Sequence, residues 1–165
     1  MGRSVRTSFV ILDAQSVKNT ATPQNKGYDG GKKISGIKRH LAVDINGLPF
    51  AIHITTANVS ERDGAIALLA LNEEQFDLVQ RAMADGSYTG NNFAQSVHAI
   101  IGADVIIAKQ SDLKNGQVTP QRWVVERSFS WLTNWRRLWF NYERKLNTSK
   151  VMVAMAFIGI LLARQ

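Results

Sequence analysis

The sequence predicts a mixed α/β fold, a sheet of three leading strands and two more that alternate with helices. Three observations carry that reading. Residues 9–14 read FVILDA, apolar and β-branched on both faces, as a strand covered on both sides does. Asn46-Gly47 stands between the apolar runs Leu41–Ile45 and Leu48–Thr56, the strongest short hairpin signal. Beyond residue 60, helical and strand-like segments alternate to the end of the chain.

Taken in order, the first strand turns Phe9, Ile11 and Asp13 to one face and Val10, Leu12 and Ala14 to the other. A carboxylate on a face otherwise apolar breaks the pattern, and such breaks tend to mark function. Residues 16–39, SVKNTATPQNKGYDGGKKISGIKR, follow neither period and are expected as a basic loop. Ser60 with Asp63 three residues later predicts a capped helix start ahead of Ala65–Leu71. Leu78–Ala84 reads as a strand ending in Asp85-Gly86-Ser87, Asn91–Ile101 as a helix and Asp104–Lys109 as a short strand. A turn at Lys114-Asn115-Gly116 leads to a helix from Pro120 to Trp135 or Leu138. Residues 149–164 form a last helix, apolar nearly all round. It is expected either buried against the sheet or packed on an N-terminal region or a second protomer. Nothing marks a second domain, so residues 1–165 are expected to form one.

Composition narrows the function. Twenty Lys and Arg against thirteen Asp and Glu leave a net charge of +7, which points to a polyanion, most simply nucleic acid. No cysteine is present, which excludes a disulfide scaffold, a thiolate zinc site and a cysteine nucleophile. The longest apolar run, Val151–Ala163, would rise only about 20 Å as a helix, short of a bilayer core. With no signal-like N-terminus, a soluble cytosolic domain without a membrane partner is expected.

The late helix places Glu126 on a polar stripe. Arg122, Ser130, Thr133 and Arg137 fall within about 40° of it, opposite an apolar face. Taken alone, Glu126 reads first as a surface glutamate paired with Arg122, and Asp85 first as an ordinary turn residue. Asp13 requires more, because an inward carboxylate needs a cation, a donor or a metal. If Asp13, Asp85 and Glu126 converge, three hard oxygen donors select Mg²⁺ or Mn²⁺ over Zn²⁺. Two such ions about 3.5–4 Å apart can activate a nucleophile and stabilise the leaving oxygen of a phosphodiester.

Four stretches resemble the DDE transposases of bacterial insertion sequences. They are LDAQSVKNT at Leu12–Thr20, GKKISGIKRHLAVDINGLPFAIHITTANVSERDGA at Gly31–Ala65, ADGSYTG at Ala84–Gly90 and RWVVERSFSWLTNWRRLWFNYER at Arg122–Arg144. They occur in the family's order and cover nearly the whole chain. The resemblance implies a ribonuclease-H-like catalytic domain with Asp13, Asp85 and Glu126 as its catalytic, metal-holding triad. It implies two Mg²⁺ ions, replaceable by Mn²⁺, and phosphodiester hydrolysis and strand transfer on double-stranded transposon ends and target DNA. It also implies a homo-oligomer. The family's signature of Tyr, two residues, Arg, three residues, Glu, six residues and Lys reads here as Thr119, Arg122, Glu126 and Thr133, so only the Arg and Glu are kept. Arg136 or Arg137 would take over the phosphate contact of the missing Lys.

Such transposases usually carry an upstream region that recognises the ends of the element. Its absence here suggests either a truncation or the downstream frame of a two-frame transposase, partnered by a separate N-terminal region. A catalytically silent inhibitor of the full transposase, and another nuclease of the same fold, are the competing readings. DNA contacts are expected from Lys32, Lys33, Lys38, Arg39 and His40 after the first strand, and from Arg122, Arg127, Arg136 and Arg137 on and after the late helix. Trp131 and Trp135 are expected in the core, and Trp123 falls near Glu126 on the helical wheel, where stacking on a base is the lesser reading.

Overall fold

The computed structural model describes residues 7–108 and 120–163, with the side chains of residues 120–122 left out. The expected turn at Lys114-Asn115-Gly116 lies outside the described residues. Strand β1 spans Phe9–Lys18, β2 Gly27–Asp29, β3 Ile34–Val43 and β4 Pro49–Thr56. Helix α1 (Glu61–Ala70), strand β5 (Arg81–Ala84), helix α2 (Asn91–Ile101) and strand β6 (Asp104–Ile107) follow. Helices α3 (Pro120–Thr133) and α4 (Leu146–Leu162) complete the order.

The strands form one mixed sheet in the order β2-β3-β1-β5-β6, with β4 also pairing β3. β3 runs antiparallel to β1, β2 and β4, whereas β1, β5 and β6 are parallel. The alternation of β1 sorts the core. Ile11 and Val17 pack under Val125, Phe129 and Leu132 of α3 and Val153 and Phe157 of α4. Val10 and Leu12 pack under Leu68 and Leu69 of α1 and Phe93 and Val97 of α2. A strand sandwiched in this way must be apolar on both sides, as FVIL is.

The expected basic loop 16–39 is corrected. β1 continues to Lys18, β2 occupies Gly27–Asp29 and β3 starts at Ile34, so four strands precede the first helix, not three. The alternation is hidden because β3 buries polar side chains that find partners inside. Lys38 Nζ donates to the Val59 carbonyl at 2.8 Å and pairs with Asp29 at 3.3 Å. Arg39 donates to the Leu138 carbonyl at 3.0 Å, and His40 Nε2 lies 2.9 Å from Thr55 Oγ1.

Local signals hold elsewhere. Gly47 has a φ of +80°, and the Asp44 carboxylate accepts from the backbone N–H of Asn46 and Leu48 at 2.9 and 2.8 Å, closing the β3–β4 turn. Ser60 Oγ caps α1 by accepting from Asp63 N at 3.1 Å. Helix α4 is not fully covered: Val153, Ala156 and Phe157 are buried, while Val151, Met155, Ile158 and Leu162 are exposed. Trp131 packs partly buried against the core, but Trp135 remains 43% exposed, its ring lying on Gly159. Among the described residues no helix is long and apolar enough to cross a membrane.

Candidate active site

The parallel pairing of β1 with β5 places two acids at one end of the sheet. Phe9, Val10 and Ile11 stand opposite Arg81, Ala82 and Met83, and the same register continued two residues brings Asp13 abreast of Asp85. Asp13 shares the face of Ile11. Asp85 follows the last residue of β5 and caps a single turn, Gly86–Tyr88, its Oδ1 accepting from Ser87 N at 2.9 Å. Glu126 projects from α3, whose Val125 is buried on the same layer. All three acids line one cavity of about 40 Å³, floored by Ile11, Met83 and Val125. That is the scale of a single water or ion.

The electrostatics show an excess of negative charge. Burial above all, with the charges of Asp85 and Glu61, raises the Asp13 pKa to about 7, against the pull of its hydrogen bond from Ala14 N and of Lys32. Burial and then the charges of Asp13, Glu61 and Asp85 push the Tyr88 phenol well above its usual range. Its hydroxyl is buried and has no hydrogen-bond partner among the described residues.

Among the described residues no three His, Cys, Asp or Glu side chains stand close enough together to enclose a metal ion. The donor set nevertheless fits a hard divalent cation. Mg²⁺ commonly keeps several waters and takes only one or two carboxylates directly, as the adjacent Asp13 and Asp85 would provide.

The expected DNA contacts divide sharply. Lys38, Arg39 and His40 are at most 5% exposed and bonded inside the fold, so they are corrected from phosphate ligands to core residues. Burial first, then the charges of His53, Lys38 and Lys32, lowers the His40 pKa to about 3, so it is neutral. Arg127 donates to the Asn46 carbonyl at 2.8 Å and lies between the rings of Trp123 and Trp131, docking α3 on the hairpin. Arg137 is paired with Glu143 at 2.8 Å, and Lys32 with Glu61 at 2.9 Å. Lys33 and Arg136 are exposed, and Trp123 is 54% exposed with Arg127 over its ring. Arg122 lies on the α3 backbone, its side chain outside the described residues.

Sequence reasoning gave no place to Glu61 and Ser87, yet Ser87 Oγ lies 2.5 Å from Asp85 Oδ1 and also meets Glu61 Oε2. Glu61 sits inside the Ser60–Asp63 capping motif, which explained the local sequence without it. Its signal was a second acid beside the cap, which tertiary structure alone connects to Asp85.

The architecture is thus a six-stranded mixed sheet with helices on both faces and two acids at the ends of its neighbouring parallel strands. Solved structures agree on the fold. The catalytic core domain of BIV integrase superposes with a TM-score of 0.53 at 10% identity, covering 92% of this chain and 81% of that one. A chain of the simian T-cell lymphotropic virus intasome, solved in complex with PP2A regulatory subunit B56 gamma, gives a TM-score of 0.56 at 12% identity, covering 95% and 49%. The fold is therefore ribonuclease-H-like. The sequence profile of the transposase DDE domain matches residues 5–162, and the chain belongs to that family. A Burkholderia cepacia protein named "Putative transposase for insertion sequence element IS402" is 29% identical over 117 residues, 67% of this chain and 55% of that relative. The match thus spans about half the length of the relative.

Proposed function

We propose that this chain is the catalytic domain of an insertion-sequence transposase that hydrolyses DNA phosphodiesters and transfers strands with divalent metal. The observation that carries the proposal is the convergence of Asp13, Asp85 and Glu126 on one cavity at the ends of neighbouring parallel strands. Family membership and the integrase-like fold support it.

In this reading Asp13 and Asp85 are the principal metal-holding carboxylates, and Glu126 completes the site from α3. When bound, Mg²⁺ or Mn²⁺ supplies Lewis acidity toward the scissile phosphate and a more acidic attacking water or 3′-hydroxyl. Burial keeps Asp13 in a low-dielectric setting, which strengthens its hold on a cation. Of the cations the sequence expects at DNA, Lys33 and Arg136 are exposed and would meet phosphates; the α3 backbone places Arg122 one turn before Glu126. Partners are transposon-end and target DNA and a second copy of the chain.

Nicking and strand transfer of double-stranded DNA with Mn²⁺, compared with Asp85→Ala, test the proposal. Activity in wild type alone supports it. Salt-sensitive DNA binding without cleavage at any metal concentration overturns it in favour of a silent, inhibitory transposase fragment.

A further inference from the structure

A continuous polar bridge joins the backbone beside Asp13 to the side chain of Asp85. Asp13 Oδ1 accepts from Ala14 N at 2.7 Å, and the Ala14 carbonyl accepts from Lys32 Nζ at 3.3 Å. Lys32 Nζ also donates to Glu61 Oε1 at 2.9 Å, and Glu61 Oε2 accepts from Ser87 Oγ. Ser87 Oγ lies 2.5 Å from Asp85 Oδ1, the oxygen that already accepts from Ser87 N. With one proton to give, the Ser87 hydroxyl donates to one acid at a time, and the ammonium of Lys32 offsets the charge of Glu61. Helix α1 adds a second tie to the same turn, since Arg62 donates to the Thr89 carbonyl at 3.1 Å. The buried Tyr88 hydroxyl, in the turn that follows Asp85, has no hydrogen-bond partner among the described residues.

The geometry points to Glu61, with Lys32 and Ser87, as positioning residues that set the spacing between Asp13 and Asp85 and thereby the size of cation the two acids accept. This rests on the reading of Asp13 and Asp85 as metal-holding acids. Lys32 then serves the site through Glu61 more than through DNA. Outer partners of ligating carboxylates typically matter about 10–100-fold in metal affinity. Spacing adds a sharper signature, because Mn²⁺ and Mg²⁺ demand short, regular bonds while Ca²⁺ tolerates longer, variable ones.

The test is calorimetric titration of the full chain with Mn²⁺ and, separately, Ca²⁺, in wild type, Glu61→Ala, Glu61→Gln, Ser87→Ala and Ser87→Thr, with folding checked by circular dichroism. The expected result is an Mn²⁺ Kd raised about tenfold or more in Glu61→Ala and Ser87→Ala, a Ca²⁺ Kd changed by less than about threefold, and rescue in Ser87→Thr. Glu61→Ala added to Ser87→Ala should cost nothing further, because both cut one bridge. Equal losses for both ions, additive losses, or affinities unchanged in folded variants overturn the inference. If Asp85→Asn binds Mn²⁺ as wild type does, the metal reading itself fails. Crystal structures of metal-free Glu61→Ala and Ser87→Ala then decide the bridge: an Asp85 side chain displaced from its wild-type position supports it, and one unmoved overturns it.

Discussion

Asp13 and Asp85 come together because β1 and β5 run parallel in a register that sets Ile11 opposite Met83, two residues short of both acids. The first is held on a strand still paired to β3 across Leu41, the second on a turn just beyond its strand. One acid is thus fixed by the sheet and the other by a single capped turn, so the two differ in how easily they shift.

Replacing Asp85 by Asn or Glu126 by Gln should abolish chemistry while sparing the fold. Mn²⁺-dependent nicking is expected to fall by at least about a hundredfold, the scale of losing a group that stabilises transition-state charge. Circular dichroism and DNA affinity should stay at wild-type values. Unfolding of Glu126→Gln would instead make Glu126 structural.

Asp13 should tie metal-free stability to pH. Its folded pKa of about 7 lies above the ordinary 3.8, so the folded protein binds the proton more tightly than the unfolded chain. Stability is then full below about pH 4, falls as the pH rises toward 7 and levels off above. Asp13→Asn cannot ionise and should gain over wild type across that window, by at most about 4 kcal/mol. Urea unfolding at pH 5 and pH 8 checks this, and an equal gain at both would refute it.

Gly64 lies flat on the buried His40 ring. A Cβ at this position would sit 1.9 Å from His40 Cε1, and His40 cannot retreat because Thr55 holds its Nε2. Gly64→Ala should therefore destabilise by about 1–3 kcal/mol despite its better helix propensity, read from thermal or urea melts. A stabilised variant would show that α1 does not press on β3 as described.

Arg39 and Lys33 are close in sequence and opposite in exposure. Arg39→Ala removes a buried guanidinium bonded to the Leu138 carbonyl and should cost about 2–4 kcal/mol of stability. Lys33→Ala should leave stability within about 0.5 kcal/mol yet lower the salt slope of DNA binding by about one. Fluorescence anisotropy on duplex DNA across a salt series, beside melts of both variants, separates the two. A slope unchanged in Lys33→Ala removes that side chain from the DNA surface.

The strands and helices read from local pattern were those whose burial matches their period: FVIL, the hairpin around Asn46-Gly47, the capped α1 and the amphipathic α2. The sequence failed on β3. Its ISGIKRHLAV places Lys38, Arg39 and His40 at consecutive buried positions, which no period-two pattern announces. The partners that make such burial tolerable, Asp29, the Val59 and Leu138 carbonyls and Thr55, lie up to 99 residues away. For the same reason charge density alone misassigned these cations to a DNA-facing loop.

The sequence by itself determined the mixed α/β class and the element order from β4 onward, because propensity, caps and apolar period act within a few residues; the three candidate acids came from the family resemblance, since local pattern alone reads Asp85 and Glu126 as ordinary turn and surface residues. Only the tertiary structure decided which cations face outward, that Arg127 docks α3 on the hairpin, and that Glu61 reaches Asp85 through Ser87. Those outcomes depend on which distant donors and acceptors meet when the sheet closes, and a hydrogen bond between remote residues leaves no trace in local spacing.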